Sequence, residues 1–171
     1  LRTYSLARRE ADVAIRPGLR PTEADVVGRK LVALRTAAYA SPTYFADGRK
    51  RPRRLADLRK HEMIAFGEGH RASAGFRDRI GDARIVLRTN SMTGQAIAAR
   101  AGLGIALLPC FMGDHDPALE RLFSTSRRGD DVAHLWLLIH ADLRQTARVR
   151  AFVDFLTEAI QADRASWEGR R

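Results

Sequence analysis

The sequence predicts an α/β fold with at least partly parallel sheets, and three stretches carry that expectation. Asn90 to Phe111, NSMTGQAIAARAGLGIALLPCF, reads as a polar cap, a short amphipathic helix, a glycine stop and a buried strand cut off by proline. His134 to His140, HLWLLIH, is a strongly apolar strand. A helix from about Thr146 to Ala162 follows it, with Val149, Phe152, Val153, Leu156 and Ile160 recurring at helical spacing. Strands alternating with helices in this way build layered α/β domains.

Taken in order, residues 11–16, ADVAIR, alternate into a short strand that Pro17-Gly18 should break. Leu31 to Ala38 reads as a second, long strand. Ser41-Pro42 opens a helical turn, since proline is tolerated there, and Tyr44 and Phe45 anchor that turn in the core. Leu55 and Leu58 mark another turn. Glu62 to Phe66 is a strand running into Gly67, and Arg84 to Thr89 is another, with Ile85 and Leu87 on one face. Ser91 caps the next helix by accepting a hydrogen bond from an amide two or three residues on. Met92, Ala96, Ala99 and Leu103 would be its buried stripe. Gly102 suits the left-handed residue that closes it, and Pro109 ends the strand Ile105–Leu108. Leu119 and Leu122 suggest one helical turn, and Arg164 to Arg171 a frayed tail. A parallel sheet would need a strand and helix before residues 11–16, so the N-terminal side reads as truncated.

At 171 residues, the chain has room for one domain or two small lobes. No apolar run approaches the roughly 20 residues that span a bilayer. The single cysteine, Cys110, excludes an internal disulfide and suits a reducing compartment. The net charge of +10 is uneven: residues 1–60 hold 15 Lys/Arg against 6 Asp/Glu, and residues 61–171 hold 15 against 14. The densest run is RKRPRR, Arg49 to Arg54. It reads either as a phosphate-backbone contact or as a solvated loop in an arginine-rich chain; the lack of interleaved aromatics favours the loop.

Asn90, Ser91 and Met92 lie where a strand delivers the chain to a helix N-terminus, whose free amides and positive end favour an anion; simple capping would use the same residues. Arg16 can pair bidentately with a carboxylate or make a surface ion pair. Phe66 and Gly67 end another strand and offer an aromatic wall and open amides, or simply a core residue and a turn. Cys110, without a resolving partner, reads as a buried thiol rather than a sensor. Asp114-His115-Asp116 reads as a solvated turn, because the five histidines have no metal-ligand spacing. Gly102-Leu103-Gly104 follows a helix, the reverse of a dinucleotide fingerprint, and no catalytic constellation stands out.

Four segments in order resemble the effector-binding domain of LysR-type transcriptional regulators: LARREADVAIRP at 6–17, YASPTYFADGRKRPRRLADLRKHEMIAF at 39–66, NSMTGQAIAARAGLGIALLP at 90–109 and HLWLLIHADLRQTARVRAFVDFLTEAI at 134–160. The resemblance implies a type-2 periplasmic-binding-protein-like fold, two subdomains joined by two crossing strands, here Leu31–Tyr39 and Leu135–His140, with a ligand in the cleft. Residues 33–138 would form subdomain II, residues 1–32 and 139–163 an incomplete subdomain I, and residues 164–171 a tail. The effector-binding set would be Arg16, Phe66, Gly67, Asn90, Ser91 and Met92, holding a small metabolite, with an anion favoured by Arg16, the helix end and the overall charge. The chain departs from the family in carrying no winged helix-turn-helix, linker helix or opening strand and helix. DNA-binding residues are therefore expected only in a missing N-terminal domain. The resemblance further implies a cytoplasmic, non-enzymatic protein without cofactor or metal, homo-oligomeric at full length and contacting no membrane. The alternatives are a solute-binding protein of a transport system and an enzyme on the same fold.

Overall fold

The computed structural model describes residues 5–18, 22–23, 25–67, 80–125 and 133–170. The chain divides into two compact units, Leu1–Leu34 with Arg128–Arg171, and Arg35–Arg127.

The first unit is built on a three-stranded antiparallel sheet in the order β1 (Val13–Gly18), β8 (His134–His140), β2 (Val26–Ala33). β1 pairs with β8 antiparallel, not in the parallel arrangement that the sequence suggested. Pro17 does not break β1 but sits within it opposite Leu135, because an edge strand tolerates a residue without an amide donor. Leu135–His140, expected as a crossing, lies at the centre of this sheet, where Leu137 and Leu138 are fully buried. Helix α3 (Ala147–Ala162) packs Val149 and Ile160 onto Leu31, Val32, Leu137 and Ile139. Phe152, expected in the buried stripe of this helix, is instead half exposed. The expected frayed tail instead forms a short helix, α4 (Arg164–Trp167), followed by a buried Glu168 clasped by Arg164 and Arg170.

The second unit holds a mixed five-stranded sheet, β5 (Arg84–Thr89), β4 (Glu62–Phe66), β6 (Ile105–Pro109), β3 (Thr36–Ala40), β7 (Glu120–Ser124). β5, β4 and β6 run parallel, and β3 is antiparallel to both β6 and β7. The long strand expected over Leu31–Ala38 is thus two strands, β2 and β3, in different sheets. Leu119 precedes the edge strand β7 and Leu122 lies within it, in place of the expected helical turn. Ile85 and Leu87 pack on opposite faces of the sheet, with Met63 and Ile64 respectively, because a bulge at Val86 shifts the register. One face carries α1 (Met92–Arg100) over Ile64, Ala106 and Leu108, and the other carries Tyr44, Phe45 and Leu58 from two 3₁₀ turns, Pro42–Phe45 and Leu55–Lys60. A further short helix, α2 (Cys110–Gly113), follows β6.

Candidate functional site

β4 and β5 end level, with Phe66 opposite Thr89, and the Gly67 amide donates to the Thr89 carbonyl at 2.8 Å. A Cβ at Gly67 would touch the Asn90 Cβ at 3.7 Å, so the two residues leaving the strands lie side by side. The rim at the carboxyl ends of these strands thereby brings together Phe66, Gly67, Asn90, Ser91 and Met92. Within it, Asn90 and Ser91 are exposed and Met92 is half-buried, whereas the Phe66 ring is buried in the unit.

The turn into α1 is fixed by its own side chains. Ser91 is extended, with φ −122° and ψ 122°, and its hydroxyl accepts from the Gly94 amide at 3.1 Å. Thr89 Oγ1 accepts from the Ser91 amide at 3.2 Å, and the Gln95 amide donates to the Ser91 carbonyl at 3.0 Å. Two first-turn donors remain: the Met92 and Thr93 amides have no acceptor among the described residues. Such amides at the positive end of a helix form a receptor for a carboxylate or another anion.

The buried stripe of α1 is Gln95, Ala98 and Ala99, not the expected Met92, Ala96, Ala99 and Leu103. Gly102, at φ +74°, turns the chain out of the helix before Leu103, which is left half exposed. Gln95 is the residue that the apolar spacing passed over. Its side-chain amide donates to the Ile64 carbonyl at 3.2 Å and pins α1 to the strand whose end forms the rim. The signal was a polar residue in register with the alanines.

Arg16 belongs to the other unit, where its guanidinium pairs with Glu23 at 2.8 Å. Asp114 is not part of a solvated turn. It accepts from the Tyr39 hydroxyl at 2.8 Å and from Arg121 Nε at 2.9 Å, with a second Arg121 bond to its other oxygen. Burial, then the hydrogen bond to Asp114, raises the Tyr39 pKa. Cys110 lies buried beside this cluster, and burial raises its thiol pKa as well. Among the described residues, no group of three or more His, Cys, Asp or Glu side chains converges as for a metal ion. No described helix is long and apolar enough to cross a membrane.

Comparison with known proteins agrees with this architecture. Residues 3–161 match the family described as "LysR substrate binding domain". Among solved structures, CrgA, a LysR-type transcriptional regulator from Neisseria meningitidis, aligns at 21% identity and a TM-score of 0.71, over 91% of this chain and 54% of its own. The full-length virulence activator AphB of Vibrio cholerae aligns at 18% identity and a TM-score of 0.66, over 90% and 53%. The effector domain of the transcriptional regulator AmpR of Pseudomonas aeruginosa aligns at 21% and 0.68, over 94% and 77%. This chain thus spans little more than half the length of the first two. No curated protein matches it. The fold is α/β and type-2 periplasmic-binding-protein-like.

Proposed function

We propose, from the premise that this chain belongs to the family of LysR substrate binding domains, that it is the effector-sensing part of a DNA-binding transcriptional regulator. The effector is a small anionic metabolite, bound at the strand-end rim of the second unit. The observation that carries this reading is the pair of amides, Met92 and Thr93, without an acceptor among the described residues, at the Ser91-capped start of α1. Asn90 and Ser91 add polar side chains beside them. Sensing requires that the effector bind one conformation of the regulator better than another, so that occupancy shifts their populations. Sequence-specific DNA contact would be made by a separate domain, in a cytoplasmic homo-oligomer, and no reaction is assigned to the chain. The family membership favours this role over solute transport.

The test is a melting screen of the chain against small carboxylates, each paired with its neutral amide. A ligand that binds only the folded state stabilises it by about 2.7 kcal/mol at a hundredfold excess over Kd. The expected result is that particular carboxylates raise the melting temperature and their amides do not. Stabilisation by neutral compounds alone would reject the anionic assignment.

A further inference from the structure

The basic run that the sequence left open is part of a groove at the opposite end of β4. Arg49, Lys50, Arg51, Lys60, His61 and Glu62 line it, together with Pro52 and Asp57, around a volume of about 490 Å³. Glu62 begins β4 and Phe66 ends it, so the groove and the effector rim lie about 13 Å apart along the strand at 3.3 Å per residue.

Two features separate this groove from an ordinary solvated loop. Its arginines are held in place: the Arg49 guanidinium stacks 4.8 Å from the Tyr44 ring centre and donates to the Tyr44 carbonyl at 3.1 Å, and Arg51 stacks 4.7 Å from the Phe45 ring centre. Such stacking fixes a guanidinium without neutralising it. The groove also joins separate segments, because Lys60 comes from the turn that precedes β4. Acids offset part of the charge: Arg49 pairs with Asp47 and Glu62, and Arg51 with Glu120. Lys50 and Lys60 are exposed, and neither has an acidic partner among the described residues. Tyr44 and Phe45 are buried beneath the arginines, so no ring is presented for a base to stack on. A partner is therefore recognised by its charge and not by its bases.

We infer that this groove binds the phosphodiester backbone of a duplex nucleic acid, without sequence preference and independently of the effector rim. Lys50 and Lys60 make the direct phosphate contacts, and the stacked, ion-paired Arg49 and Arg51 form the wall of the groove beside them.

The test is fluorescence anisotropy of a labelled DNA duplex of arbitrary sequence, titrated with the 171-residue chain over a range of salt concentrations. Binding is expected to weaken linearly on logarithmic axes as salt rises. The double variant Lys50→Gln/Lys60→Gln is expected to lower that slope by about 2, roughly 1 for each lost phosphate contact. Arg144→Gln/Arg150→Gln removes the same charge from exposed positions of the first unit and is expected to leave the slope unchanged. Absence of duplex binding at low salt, or an equal fall in slope for the two double variants, would overturn the assignment.

Discussion

A Cβ added at Gly104 would lie 2.6 Å from the carbonyl oxygen of Glu62. This close approach lets β6 enter the sheet beside β4, where Ile105 pairs with Met63. Gly104→Ala is therefore expected to cost roughly 1–3 kcal/mol, because backbone must move to admit the methyl group. Gly102→Ala fails for another reason: φ +74° is a left-handed conformation, costing about 1–2 kcal/mol with a side chain. Urea denaturation checks both, with lower midpoints at unchanged slope as the expected outcome.

Ser91 separates capping from effector binding. Ser91→Ala leaves the Gly94 amide without its 3.1 Å acceptor and is expected to lose about 0.5–2 kcal/mol of stability. Ser91→Asp retains a cap, and its negative charge favours the helix N-terminus, so its denaturation midpoint should stay near that of the parent. The same charge repels an anionic effector, so carboxylate affinity should fall in titration calorimetry. Retained affinity in Ser91→Asp would place the anion elsewhere.

The Tyr44 hydroxyl donates to Glu62 Oε2 at 2.6 Å, accepts from the Glu62 amide at 3.0 Å and lies 3.3 Å from His61 Nδ1. That hydrogen bond is the main cause holding the Glu62 carboxyl below its ordinary 4.5, and burial holds His61 below its ordinary 6.5. Both groups bind fewer protons folded than unfolded. Each stabilising contribution is complete above the ordinary value and is lost as pH falls through the lower folded value. Melting temperature should decline below pH 6.5 and again below 4.5. Tyr44→Phe should flatten the lower step and cost about 1–3 kcal/mol at neutral pH, because the groups it satisfied lose their partner.

Cys110 is 1% exposed, and burial raises its pKa. A thiol reagent should therefore react with the native chain far more slowly than with chain unfolded in urea. Equal rates in the two states would contradict this packing.

Much of the fold was legible because the decisive signals were local. β4, β5 and β8 are apolar runs bounded by turn or polar residues, and their limits are those read from the sequence. Ser91 and Gly102 are likewise read from cap and stop chemistry that depends only on neighbouring residues. The misreadings share another cause. Leu119 and Leu122 sit three apart as on a helix, but residues 120–124 take their conformation from pairing with β3, some 80 positions earlier. Phe152 fits the helical stripe of α3, yet the packing against β2 covers Val149 and Ile160 and leaves it half exposed. Of the candidate site, the five rim residues of the second unit are adjacent because β4 and β5 pair in parallel, which spacing alone does not specify. The hold on Arg49 and Arg51 was missed because the rings beneath them precede the basic run instead of interleaving it.

The most direct test of the effector site is an amide NMR titration of the ¹⁵N-labelled chain with the carboxylate that most raises its melting temperature, repeated on Met92→Pro. Ser91 already has extended dihedrals, which suit the residue before a proline, and position 92 opens the helix, so the variant removes a donor without breaking α1. The account predicts that the largest shifts fall on Met92 and Thr93, and that Met92→Pro weakens binding by roughly 10- to 150-fold, as expected for a lost hydrogen bond to a charged group. Shifts confined to residues away from this rim, or unchanged affinity in Met92→Pro, would contradict it.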